Sequence, residues 1–113
     1  MNENKIIEVL RARIKSDWQG QWKEIVPPDQ LTAESTYQDW NLDGKHIGLV
    51  TSMRHCLWML DQMELIMKES GWVWRDQGLV QKFHRWAGFI QGVLFSELHV
   101  TIDQLREDIK GCA

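Results

Sequence analysis

Apolar residues recur along most of this chain at helical rather than strand spacing, and the densest stretch runs from about Lys45 to Ser70. Leu49, Cys56 and Met63 share one heptad position, and Met53, Leu60 and Met67 share another, so together they form one stripe on a helix. Val50, Leu57, Met59 and Ile66 widen the stripe, and Trp58 and Leu65 lie further round. Only a narrow strip stays polar, with Arg54, Asp61 and Lys68 beside His55, Gln62 and Glu69. A helix apolar over most of its circumference is normally buried by several neighbours, which predicts a central helix over 45–70.

The rest of the chain reads as partners for that helix. Ile7, Leu10, Ile14, Trp18, Trp22 and Ile25 predict a first helix from residue 3 to about 25, with Glu8 and Arg11 spaced to pair. Ser16-Asp17 and Gly20 weaken it, and a break with Ser16 capping a second short helix is an alternative. Pro27-Pro28 ends the element, because proline lacks an amide proton and disfavours helix before it. Residues 29–44 are least regular: Asp29 to Thr36 allow a helical turn or two, Tyr37 and Trp40 are expected over the core, and Asp43 can cap the central helix.

Ser70-Gly71 is a stop signal, after which Trp72-Val73-Trp74 alternates like a short extended piece. A third helix is predicted from Gln77 to Leu98, its stripe being Phe83, Ala87, Ile90 and Leu94 with Leu79, Trp86 and Val93 beside it. Thr101-Ile102-Asp103-Gln104 reads as a capping box opening a fourth helix, which would bury Ile102, Leu105 and Ile109. The fold class is therefore all-α: one domain over 1–113, a compact bundle of about four main helices around the helix at 45–70.

Charge narrows the class of partner. A net charge of −3 argues against broad binding to phosphate backbones. The charged N-terminal stretch lacks the apolar core of a signal peptide, and no apolar run reaches the length of a membrane span, so a cytoplasmic location is expected and no membrane partner. Cys56 and Cys112 form no scaffold and read as reduced thiols. Seven tryptophans and five methionines are the unusual part of the composition, and both residue types anchor or adapt binding surfaces.

No complete catalytic or ligand signature is present. His46, His55, His84 and His99 fall at no metal-ligand spacing, neither cysteine has a CxxC partner, and no glycine-rich loop opens a helix, so no cofactor or metal is expected. Asp61 and Glu64 lie one turn apart without a third acid and read as diverging, which is not the acidic cluster of helical nucleotide pyrophosphatases.

Two patches remain as candidates. His84, Gly88, Gly92 and Ser96 recur every four residues along one side of the third helix. A glycine inside a helix costs up to about 1 kcal/mol, so something should compensate. A close crossing of two helices is the expected reason; a groove for a ligand or partner, bordered by Arg85, Trp86 and Gln91, is the alternative. Trp72, Trp74 and Arg75 either cap the core or make a recognition patch of the kind that anchors partners.

Residues His84-Arg85-Trp86-Ala87-Gly88-Phe89-Ile90-Gln91-Gly92-Val93-Leu94, followed by Thr101-Ile102-Asp103-Gln104-Leu105-Arg106, resemble the C-terminal part of small helical proteins of unknown function encoded by phages and mobile elements. The chain departs from that pattern at Ala87, where a larger apolar residue is expected. The resemblance implies an accessory protein of a mobile genome and transfers no activity and no catalytic residue.

The expected function is binding of a host or viral protein as regulator, adaptor or inhibitor, without catalysis. The alternative is a small-molecule or nucleotide binder, or an enzyme, using the groove on the third helix, in which Arg85 holds an anion, Gln91 orients it and Trp86 or Trp74 stacks. A homodimer is also expected: Trp58 and Leu65 lie one heptad apart on the side of the central helix away from its main stripe, and a two-fold contact would cover them. Otherwise residues 29–44, with Tyr37 and Trp40, would fold over that patch.

Overall fold

The computed structural model describes residues 3–22, 31–33, 47–70 and 77–112. Four helices make up almost all of them: α1 Glu3–Trp22, α2 Ile47–Ser70, α3 Gln77–Glu97 and α4 Ile102–Lys110, and no strand occurs among the described residues. The fold is all-α. None of these helices is long and apolar enough to cross a membrane. Of the helical turn or two allowed over Asp29 to Thr36, the described residues 31–33 carry no helix; the rest of that stretch, the Pro27-Pro28 stop, Tyr37, Trp40, the Asp43 cap, His46 and the Trp72-Val73-Trp74 piece lie outside the described residues.

α2 packs against both α1 and α3, as its broad apolar surface requires. α1 touches all three other helices. The reason is its single-sided pattern: Ile6, Ile7, Leu10, Ile14 and Trp18 are all buried, and Trp18, the largest of them, is fully so. α2 answers with Val50, Met53, Cys56, Leu57, Met59, Leu60 and Met63, and α3 with Phe83, Ala87, Ile90 and Leu94. Leu31 closes one side, while Leu98, Val100, Leu105 and Cys112 close the end formed by α4.

α1 runs unbroken through Ser16 and Gly20, so Ser16 caps nothing. Burial of Ile14 and Trp18 on either side outweighs the weak local propensity of that stretch. Arg11 does not serve Glu8. Its guanidinium reaches across to α2, giving one N–H to Asp61 at 2.6 Å and another to Glu64. The two carboxylates expected to diverge therefore converge on one cation, because a pair at i, i+3 is separated by only about 60° around the helix.

α3 ends at a reversal. His99 adopts φ 58, the left-handed region that glycine usually supplies. The Val100 N–H then reaches back 3.2 Å to the Leu94 carbonyl, which also accepts from the Leu98 N–H at 3.0 Å. Gln21 of α1 donates to the Leu98 carbonyl at 2.9 Å and ties the reversal to the first helix.

The Thr101 hydroxyl then accepts from the Gln104 amide at 3.1 Å and starts α4. Only that half of the capping box forms as expected. The Gln104 side chain instead donates to Asp108 at 3.1 Å. Ile102, expected in the core, is 53% exposed, since a helix this short turns only Leu105 fully inward.

Candidate functional site

α3 has two unlike faces. Phe83, Ala87, Ile90 and Leu94 point into the core, and the opposite side is open. His84, Gly88, Gly92 and Ser96 are all exposed along that side. Among the described residues, no atom lies within 4 Å of the position a Cβ would take at Gly88 or Gly92. Among the described residues the glycines are therefore not the contact of a close helix crossing, and no described helix packs on the face they line.

Large aromatic groups flank this stripe. Helix geometry puts Phe89 about 60° to one side of Gly92 and Phe95 about 60° to the other. Phe89 is 52% exposed and Phe95 50% exposed. At the C-terminal end of the stripe, the His99 reversal opens a concavity of about 500 Å³ between α3 and α4, lined by Phe95, Ser96, His99, Thr101, Ile102 and Asp103. Phe95 and Ile102 give its apolar wall, and Asp103 its charge. Arg85 marks the other end of the face, exposed and in no ion pair among the described residues.

The residues singled out from sequence scatter around this picture. His84 and Arg85 are exposed on the open face, His84 with its ring edge-on to Phe83 at 5.4 Å. Trp86 turns away toward α2: its ring lies 6.2 Å from that of Trp58, and the Lys82 ammonium sits 4.9 Å above it. Gln91 is half-buried, and lies about 120° around the helix from Arg85. Arg85, Trp86 and Gln91 thus point in three directions rather than into one groove. Trp72, Trp74 and Arg75 lie outside the described residues.

On α2, Trp58 is half-buried between His55, stacked on it at 5.4 Å, and Trp86 of α3. Leu65, a heptad later, is 45% exposed. Among the described residues no group of three or more His, Cys, Asp or Glu is placed to hold a metal ion. The Asp61 and Glu64 carboxylates are both engaged by Arg11. Cys56 is fully buried, which pushes its thiol up to about 12, out of the range in which it ionises.

Phe89, Phe95, Ile102 and Asp103 were not among the candidates read from sequence. The signal was present: Phe89 and Phe95 fall on the polar arc of α3, opposite Phe83 and Leu94. No protein-family model, curated protein or solved structure matches this chain.

Proposed function

We propose that this chain works by binding another protein on the outward face of α3 and the corner it makes with α4. The carrying observation is the pair of half-exposed phenylalanines on either side of an open glycine stripe. Solvating two aromatic rings is unfavourable by about 25 cal/mol for every Å² of apolar surface left in water. Contiguous apolar surface of this kind marks interaction sites, and aromatic anchors carry much of the energy when such a surface closes. The likeness of residues 84–94 and 101–106 to phage and mobile-element proteins supplies the setting of this reading: an accessory protein that engages a host or viral partner.

A capture experiment tests it. Tagged full-length chain is incubated with lysate of the host, beside a Phe89→Asp, Phe95→Asp double variant. Both side chains are outside the core, so the variant should keep the helical circular dichroism of the parent. A partner retained by the parent and lost by the variant is the expected result. A partner held equally by both places the binding surface elsewhere. A thermal-shift screen against nucleotides tests the other reading. A ligand at a hundred times its dissociation constant adds about 2.7 kcal/mol of stability, and an upward shift that Arg85→Ala removes would favour a nucleotide site over a protein surface.

A further inference from the structure

We infer that the outward face of α3 is self-complementary, and that in the absence of another partner it pairs with the same face of a second copy of this chain. This rests on the reading of that face as a docking surface and names one occupant for it. The two α3 helices would cross antiparallel about a two-fold axis at the level of residues 90 and 91.

That register follows from the order of residues along the face. In an antiparallel pair centred there, residue 89 of one copy lies opposite residue 92 of the other. Each Phe89 ring then enters the open space above Gly92 of the facing helix, where no atom among the described residues approaches a Cβ position. The two-fold repeats the contact, so each copy gives one ring and one hollow.

Charge selects a second copy over an unrelated helix. Arg85 and Ser96 are about 16.5 Å apart along the helix and straddle the axis evenly. The antiparallel arrangement therefore brings Arg85 of one copy to the α3–α4 corner of the other, where Phe95 and Asp103 line the concavity. The guanidinium can lie over the Phe95 ring and meet the Asp103 carboxylate, whose cation among the described residues, Arg106, stands 4.0 Å away at the surface. Cation and anion occupy opposite ends of one face, and a reversed copy of that face satisfies both at once.

Sedimentation equilibrium of the full-length chain over a concentration series tests the pairing. The expected result is a reversible monomer–dimer equilibrium. Gly92→Leu fills the hollow and should weaken the dimer at least about tenfold, which is 1.4 kcal/mol. Arg85→Asp alone and Asp103→Arg alone should each weaken it, while the double swap Arg85→Asp, Asp103→Arg should restore it, because the two charges exchange places across the axis. All three positions are exposed, and circular dichroism checks that each variant folds. A chain that stays monomeric up to millimolar concentration overturns the inference. So does a dimer indifferent to Gly92→Leu and to charge reversal, which would assign the contact to another surface such as Trp58 and Leu65. A monomeric chain whose captured host partner is still lost with Phe89 and Phe95 would remove the self-pairing and leave the docking face standing.

Discussion

Asp108 of α4 receives two parallel hydrogen bonds of 2.9 Å from the Arg13 guanidinium of α1, and this pair joins the burial of Leu105 in holding the last helix in place. α4 turns only Leu105 fully inward. Around Asp108 gather the Gln104 amide and, on its backbone carbonyl, the Cys112 thiol at 3.3 Å. Arg13 also has Asp17 at 3.6 Å on its own helix. Replacing Asp108 by Asn keeps the shape and removes the charge, and should destabilise the chain by about 1–2 kcal/mol in urea denaturation. Arg13→Lys keeps the charge and loses the two-pronged geometry, so its loss should be of the same sign but smaller.

The same pair sets an acid limb on stability. The Arg13 hydrogen bonds hold the Asp108 carboxyl below its ordinary 3.8, with Gln104 adding to the effect against the opposing influence of burial. A carboxylate depressed in the folded state contributes fully above its unfolded pKa, and that contribution drains away as pH falls through the folded value. Stability measured between neutral pH and pH 2 should therefore fall below about pH 4 more steeply in the parent than in Asp108→Asn. Parallel curves would show that other carboxylates carry the acid limb.

At the α3–α4 reversal, His99 holds a left-handed backbone at φ 58. Its Cβ disfavours that conformation by roughly 1–2 kcal/mol. Glycine removes that strain but adds freedom to the unfolded chain, which returns part of the gain. His99→Gly should raise stability by about 0.5 kcal/mol, read as a higher urea midpoint at unchanged slope. A lower midpoint would mean that the imidazole makes a contact worth more than the strain it imposes.

How much of this could be read from the chain depends on which force decides each residue. The helices are readable because apolar spacing is a one-dimensional signal: Ile7, Leu10, Ile14 and Trp18 of α1 and Phe83, Ala87, Ile90 and Leu94 of α3 are buried where their periodicity marks them, and Ile6 joins the core beside that stripe. What escaped depended on where a second helix happens to lie. Nothing near Arg11 in sequence announces that it will bridge Asp61 and Glu64 of another helix, and Glu8 was the nearer candidate. The glycines of α3 posed the same difficulty. Small residues on a helix serve either a close crossing or an open face, and only the position of the neighbouring helices distinguishes the two. Ile102 was misplaced because a helix of 9 residues has too few turns to bury every apolar position on its stripe.

Chemical access separates the thiols from the surface. Cys56 is fully buried and its pKa is raised to about 12 by burial; Cys112 is also buried, with its pKa raised mainly for the same reason. The thiolate is the reactive form. Native protein at pH 8 should therefore resist a thiol-specific disulfide reagent at both positions, and full modification should appear only in denaturant. Rapid labelling of Cys112 alone would instead report that the end formed by α4 opens locally under native conditions.

The glycines of α3 carry the last expectation. Gly88 and Gly92 lie inside a helix, exposed, with no neighbour near a Cβ position among the described residues. In such a place alanine has no steric cost and gains helix propensity of about 0.5–1 kcal/mol. Gly88→Ala and Gly92→Ala should each stabilise the dilute monomer by that amount, and the two should add to within a few tenths, since their side chains do not touch. If the faces pair as inferred, the Gly92 substitution should lose part of this gain at high concentration, because the methyl group would intrude on the hollow that the facing Phe89 enters. Thermal melts of parent and variants at low and high concentration give both readings. Destabilisation in the dilute monomer would show that these positions are packed within the chain after all.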